Sequence, residues 1–398
     1  MDEKTIKMVN EARWADGLKV RKHLEEITYD PMHIQEDFVM RLMRENAKTD
    51  YGREHGFENI RNMNDFRHYI PLTTYDDYSA YIERITNGER NVLTTYHTEI
   101  VSLLSGIKRM PQSRWSILSA FDYSLSAGFY VAGSHGYLTD GMTLNLVDNS
   151  IERLQSGMAV ASTLGWLMAK RGLDNDQIYV IPTSIANKTS QADILYLQAI
   201  FALRQRNISL AICEHYDNML ELLRFIEKHW PRLADDIQNG NPYIQPDAPR
   251  AKEIREIMKT HRIGTQLITQ FWPQLHCMMV YDIDRLSASF ELLRTYCGSK
   301  VHFIFSGINS PEGTFTTVLN LDDPQTVLIP DSIFYEFKPK ETRSYNNLLT
   351  LDQLETGKSY ELIITTLSGL YRYKTNRTIL VVGSYHDTPT VIADKGEL

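Results

Sequence analysis

The sequence predicts an α/β protein, with parallel sheets and flanking helices in its middle and a β-rich subdomain towards its end. Three observations carry this. Residues 1–98 set apolar positions at helical spacing among charged ones. Residues 99–298 alternate short apolar or β-branched runs with helical stretches, the pattern of βαβ units. Residues 299–398 string strands together with few helices between them. The 398 residues suffice for such regions, since a domain takes roughly 100–200.

In the first region Phe38, Leu42 and Met43 share a face beside Arg41, Arg44 and Glu45, so residues 1–50 read as two or three amphipathic helices. A loop with Gly52 and Gly56 follows, then a short helix from Asn64 that stops before Pro71, then one capped by Thr74 that runs to about Asn87. In the second region Glu99–Leu104, Thr143–Val147, Gln177–Ile181 and Ile208–Cys213 read as strands, and Leu275–Tyr281 reads as the first of the strands that continue through the third region. Ser150–Leu164, Asp193–Arg204 and Asn218–His229 read as helices, and Asn239–Pro249 as a loop. Gly128, Gly133, Gly136 and Gly141 surround an aromatic segment, Phe121–Tyr137, at spacings that fit no dinucleotide fingerprint; they read as turns against a pocket wall. In the third region Lys300–Phe305, Thr314–Leu319, Ser332–Phe337, Tyr360–Thr365, Thr378–Gly383 and Thr388–Ala393 read as strands of a mixed sheet or distorted barrel.

Composition narrows the function classes. The formal charge is -8, from 42 Lys+Arg against 50 Asp+Glu, which argues against nucleic acid as the main partner. Cys213, Cys277 and Cys297 are the only cysteines and have no metal-ligand spacing, which points to a reducing, cytoplasmic setting. The amino terminus has no apolar core of a signal peptide, and no run approaches the roughly 20 apolar residues of a membrane span. Function is therefore expected to reside in a site for small molecules.

Several segments in order carry a resemblance. They are Tyr51-Gly52 with Gly56-Phe57, Phe66 to Leu72, Tyr75-Asp76-Asp77-Tyr78, Gly88 to Leu93, Tyr196-Leu197-Gln198, Trp230-Pro231-Arg232-Leu233, Asp235 to Gly240, Trp272-Pro273-Gln274-Leu275, Phe334 to Phe337 with Pro339, and Gly369 to Tyr373. In this the chain resembles the Gretchen Hagen 3 (auxin-responsive promoter) family of acyl-acid amido synthetases, a branch of the adenylate-forming superfamily. The resemblance implies the large amino-terminal domain of an adenylate-forming enzyme and amide formation between an acyl group and an amine. It implies ATP and magnesium as cofactors, a small carboxylic acid or acyl donor and an amine as partners, and leaves room for a carrier or partner protein. It also implies a smaller carboxy-terminal lid domain beginning near where this chain stops, so that domain is expected to be absent.

The family's nucleotide motifs are altered here. The phosphate loop is reduced to Ser105, Gly106 and Lys108, with Leu104 and Ile107 where donors are expected. In the motif that places a carboxylate near magnesium, Pro311 stands between Ser310 and Glu312, and proline restricts how that Glu points. Where the family has an Asp that accepts from the ribose hydroxyls, alignment places Arg377, a group with donors only. The Thr-Gly-Ser segment is replaced by Tyr281-Asp282-Ile283-Asp284-Arg285.

The candidate site residues are thus Ser105, Gly106, Lys108, Ser310, Glu312, Tyr371, Arg372 and Arg377, with Tyr335 and Phe337 as pocket lining. Strand alternation puts Arg372 opposite Tyr371 and Tyr373, and Glu336 opposite Tyr335 and Phe337, so Arg372 reads equally as ligand or structural ion pair. Cys213 and His215 share a strand face, as a nucleophile pair or as a core thiol beside a histidine. His33 and Asp37 have an acyltransferase spacing without a supporting motif. Two functional classes remain open. One is a divergent amido synthetase or acyltransferase without a standard ATP site, the latter using a preactivated acyl donor. The other is a non-catalytic relative that binds a small acid or a partner protein.

Overall fold

A computed structural model describes residues 3–104, 108–175, 178–182, 191–262, 265–281 and 288–394. Five helices open the chain: α1 (Glu3–Ile27), α2 (Pro31–Asn46), α3 (Asp50–Glu54), α4 (Met63–Tyr69) and α5 (Tyr75–Thr86). Their ends follow from their caps. The Asp30 carboxylate accepts from His33 N–H ahead of Pro31, and Thr74 and Asp77 form a capping box at α5.

Strands β1 (Thr98–Leu104) and β2 (Lys108–Ser113) form a hairpin. After α6 (Arg114–Ser116) and a π-helical segment, Ile117–Asp122, comes α7 (Tyr123–Ser134). Phe121–Tyr137 is thus largely helical, with Gly136 in the turn after α7 at φ +74, and Gly128 within the helix is explained by packing. A Cβ on Gly128 would lie 2.2 Å from Met279 Cε, so glycine lets α7 lie close against the neighbouring sheet.

Strands β3 (Met142–Asn145), β4 (Glu152–Arg153) and β5 (Ala159–Val160) follow, then α8 (Thr163–Asn175). The expected Ser150–Leu164 helix is corrected to the β4–β5 hairpin. Gly157 N–H closes a turn on Leu154 O, and β5 pairs with β1 as well, a partner that helical spacing does not reveal. Of the expected strand Gln177–Ile181, Tyr179 makes a single parallel bridge to Thr143; Gln177 lies outside the described residues.

Next come α9 (Gln191–Arg204), β6 (Ile208–Cys213), α10 (Tyr216–Asn239), α11 (Ala248–Thr260), α12 (Leu267–Phe271), β7 (Cys277–Val280), α13 (Ala288–Cys297) and β8 (His302–Phe305). Strands β3, β6, β7 and β8 pair in that order, all parallel. Every residue of β6 and β7 is buried, as a sheet covered on both faces requires. Strands β7 and β8, which the sequence groups with the later run of strands, belong to this parallel sheet, with β8 at its edge.

The remainder is antiparallel: β9 (Asn309–Ser310) with β10 (Gly313–Thr314), then β11 (Thr316–Val318), β12 (Thr326–Leu328), β13 (Ile333–Pro339), β14 (Ser359–Thr366), β15 (Tyr373–Tyr385) and β16 (Thr388–Ala393). Six of these form one sheet in the order β11-β12-β16-β15-β14-β13. Two large cores result. The first gathers α1, α7, α9, α10 and the parallel sheet; the second gathers α2 to α5 with the six-stranded sheet. Among the described residues no helix is long and apolar enough to cross a membrane.

Candidate functional site

The carboxyl ends of parallel strands are where open α/β sheets bind ligands, because backbone groups there are unpaired and successive loops diverge. A cavity of about 370 Å³ lies there. Glu214 and His215 follow β6, Tyr281 follows β7, and Asn309, Ser310 and Pro311 follow β8. Ser102 and Leu103 of β1, Ser162 and Thr163 at the start of α8, and Arg377 of β15 complete most of the wall. A second space, of about 770 Å³, adjoins it through Leu103 and Ser162 and is bounded by Asn145, Asp148, Glu152, Asn218 and Glu221.

The cavity wall mixes apolar side chains with polar groups that are internally organised. Ser102 Oγ and Thr163 Oγ1 are 2.8 Å apart, and Ser162 Oγ accepts from Gly165 N–H at 2.9 Å while donating to Glu214 Oε2 at 3.4 Å. Burial raises the Glu214 carboxyl above its ordinary range, which favours its protonated form, and the nearby His215 only partly opposes this. His215 caps α10, its N–H donating to Asn218 Oδ1 at 2.8 Å. The Arg377 guanidinium has no hydrogen bond or ion pair among the described residues.

Of the sequence-predicted residues, Ser310 and Arg377 meet in this cavity. Glu312 does not line it. Ser310-Pro311-Glu312-Gly313 forms the two-residue turn between β9 and β10, with proline at the position that its fixed φ suits. Glu312 is left 1% exposed, with Oε2 unpartnered among the described residues. Lys108 is exposed and places Nζ 4.7 Å from the centre of the Tyr75 ring, a cation–π contact on β2. Ser105 and Gly106 lie outside the described residues, as do Asp282, Ile283, Asp284 and Arg285.

The remaining candidates are scaffold. Arg372 donates from Nε to Glu336 Oε2 at 2.7 Å and from Nη2 to Oε1 at 3.1 Å, and its Nη1 serves the Arg67 and Ile70 carbonyls. Tyr371 is fully buried, donates to Leu93 O at 2.7 Å and stacks on Tyr51. Tyr335 and Phe337, expected to line a pocket, are corrected to core. Both are buried in the second cluster, and Tyr335 OH donates to the Phe315 and Ile329 carbonyls. Alternation identified their shared face, but the sheet's cover makes that face interior. Cys213 is buried, and burial pushes its thiol far up, while His215 is exposed at the cavity, so the two are no nucleophile pair. His33 and Asp37 form an exposed pair on α2.

Sequence reasoning passed over Glu214, Ser162, Ser102 and Asn309. The available signal was position: Glu214 directly follows a strand buried along its whole length. No group of His, Cys, Asp and Glu that could hold a metal occurs among the described residues.

Comparison with known proteins agrees with this architecture. The model of the GH3 family N-terminal domain matches residues 20–302, and that of the GH3 family central domain matches residues 326–393. The chain is 25% identical over 387 residues to the putative indole-3-acetic acid-amido synthetase GH3.10 of Oryza sativa subsp. japonica, covering 92% of this chain and 78% of that protein. It is 27% identical over 414 residues to the indole-3-acetic acid-amido synthetase GH3.8 of Oryza sativa subsp. indica, covering 92% and 67%. The solved structure of GH3.15 acyl acid amido synthetase superposes with a TM-score of 0.80 at 22% identity, covering 93% of this chain and 69% of that one, which shows a common fold.

Proposed function

Since the chain belongs to the GH3 family, whose N-terminal domain model spans residues 20–302, we propose that it joins the acyl group of a small carboxylic acid to an amine in the cavity at the carboxyl ends of β6, β7 and β8. We further propose that it does so without the grip on ATP that its resemblance implies. The named activities of the relatives support the first part: they are amido synthetases.

One observation carries the second part. Arg377, which the family resemblance sets where the ribose-accepting Asp is expected, lines the cavity, and a guanidinium cannot accept from a hydroxyl. The expected magnesium contact is weakened in the same sense, since Glu312 is turned inward and is absent from the cavity wall. The residues present therefore do not fit the nucleotide as the family resemblance implies, and no step is assigned to it.

The chain's own groups suit the transfer itself. The amine attacks the acyl carbonyl carbon, a C–N bond forms, the bond to the donor's leaving group breaks, and a proton leaves the amine. Glu214 in its ionised form is placed to take that proton, with Ser162 holding the carboxylate in position.

The test is amide formation, followed by mass spectrometry, from two donors with a panel of amino acids. One donor is a free acid with ATP and magnesium; the other is the thioester of that acid. Amide from the thioester together with no acid-dependent pyrophosphate exchange is the expected result. Acid-dependent exchange would overturn the altered-site reading, and no amide from either donor would overturn the enzyme reading in favour of a ligand-binding relative.

A further inference from the structure

We propose that Arg377 is the receptor for an oxyanionic group, a carboxylate or a phosphate, of the ligand that occupies this cavity. The inference rests on reading the cavity as the reacting site and assigns to it a chemical class of ligand.

The argument begins with the guanidinium. Arg377 is half-buried on β15, its backbone N–H bonds Thr375 Oγ1 at 3.1 Å, and its side chain has no partner among the described residues. Two more deeply buried arginines, Arg372 and Arg250, are committed to named partners, while Arg204, which lines no part of this cavity, leaves its Nε unbonded among the described residues. Arg372 serves Glu336 and two carbonyls, and Arg250 serves the Leu203, Gln205 and Phe271 carbonyls and Glu253. A planar fork of donors left unpaired at a cavity wall is the geometry that carboxylate and phosphate oxygens fill in pairs.

The rest of the wall favours the same charge. Among the described residues Glu214 is the one acidic side chain on the wall, it makes no ion pair with Arg377, and burial raises its carboxyl, which reduces the negative charge it presents. His215 sits on the wall at the amino end of the 24-residue helix α10, where the helix dipole is positive. Ser310, and whichever of Ser102 and Thr163 does not donate to the other, add hydroxyl protons for oxygen acceptors, while the Ser162 proton is taken by Glu214. The cavity thus offers donors from several sides, and no carboxylate among the described residues is paired with Arg377.

The experiment is titration calorimetry with three probes: indole-3-acetate, its neutral analogue indole-3-acetamide, and inorganic phosphate. Wild-type protein is expected to bind at least one of the two anions, and whichever binds more tightly identifies carboxylate or phosphate as the source. The amide is expected to bind about tenfold more weakly than indole-3-acetate if carboxylate is the source. Arg377→Gln should weaken the anion by about tenfold or more and leave the amide unchanged, while Arg377→Lys, which keeps the charge without the fork, should retain part of the affinity. Equal melting temperatures of the three proteins confirm that folding is intact. Anion affinity unchanged in Arg377→Gln, or no binding of either anion by the wild type, overturns the inference. Loss of anion binding in Arg377→Gln alongside a wild type that forms no amide sinks the functional reading while sustaining this one.

Discussion

Glu336 is 1% exposed and Arg372 8%, yet each charge is matched: the carboxylate takes two bonds from Arg372 and one from Arg67 at 3.3 Å, and the remaining guanidinium donors find backbone carbonyls. Arg372 also has φ +47, a left-handed conformation unusual for a side chain of its size, held by its N–H bond to Thr365 Oγ1 at 3.0 Å. Burying a charge is costly unless it is paired, so removing one partner costs more than the pair itself contributes. Glu336→Gln is expected to destabilise the protein by about 3–5 kcal/mol, measured by denaturant unfolding. A change below 1 kcal/mol would mean that water reaches Arg372. The same residues show how far single positions were legible. Period-two alternation placed Glu336 opposite its neighbours on β13, but Arg372 precedes β15 in a left-handed conformation off the strand, and their meeting depends on the pairing of β13, β14 and β15, which no local pattern encodes.

At the scale of elements, α5 shows local chemistry deciding a boundary. Asp77 Oδ2 accepts from Thr74 N–H at 2.7 Å and Thr74 Oγ1 at 2.8 Å. The Thr74 backbone bond first, then its hydroxyl, holds the Asp77 carboxyl below its ordinary value. A carboxyl whose folded value is lowered adds stability that is present above its unfolded value and lost as pH falls through its folded value. Asp77→Asn is therefore expected to cost about 1 kcal/mol at neutral pH, with the difference from wild type closing as pH drops below 3.8, followed by thermal melts across the acid range. A pH-independent difference would assign the loss to packing. This cap was readable because its donors and acceptors lie within four residues. The β4–β5 hairpin was not, since β5 is held by β1, which lies far from it in sequence.

Across the whole molecule, the first helix is part of the α/β core and not an appendage. A Cβ on Gly17 of α1 would lie 2.7 Å from both Ser126 O and Tyr130 N of α7, so the two helices cross with backbones in contact. Nearby, Arg13 reaches Thr143 Oγ1 of β3 and the Tyr179 hydroxyl, each at 3.0 Å. Gly17→Val should force this crossing apart and destabilise by about 1–3 kcal/mol, with the unfolding midpoint as the measure; no change would show that α1 shifts freely.

The residues of the cavity come from four sheets or the loops that follow their strands, from Phe121 and from the start of α8, and that convergence separates what each level of description decided. Composition, periodicity and caps determined by themselves the α/β class and most strand and helix positions, because these depend on neighbours a few residues apart, and the order of short motif segments along the chain carried the family resemblance. The convergence of Arg377 with Glu214 and Ser310, and the burial of Glu312, Tyr335 and Phe337, were decided only by the tertiary structure. The physical reason is that a side chain's availability depends on which distant surface covers it, and in this chain the six-stranded sheet and the parallel sheet close over some candidate residues and leave Arg377 facing open space.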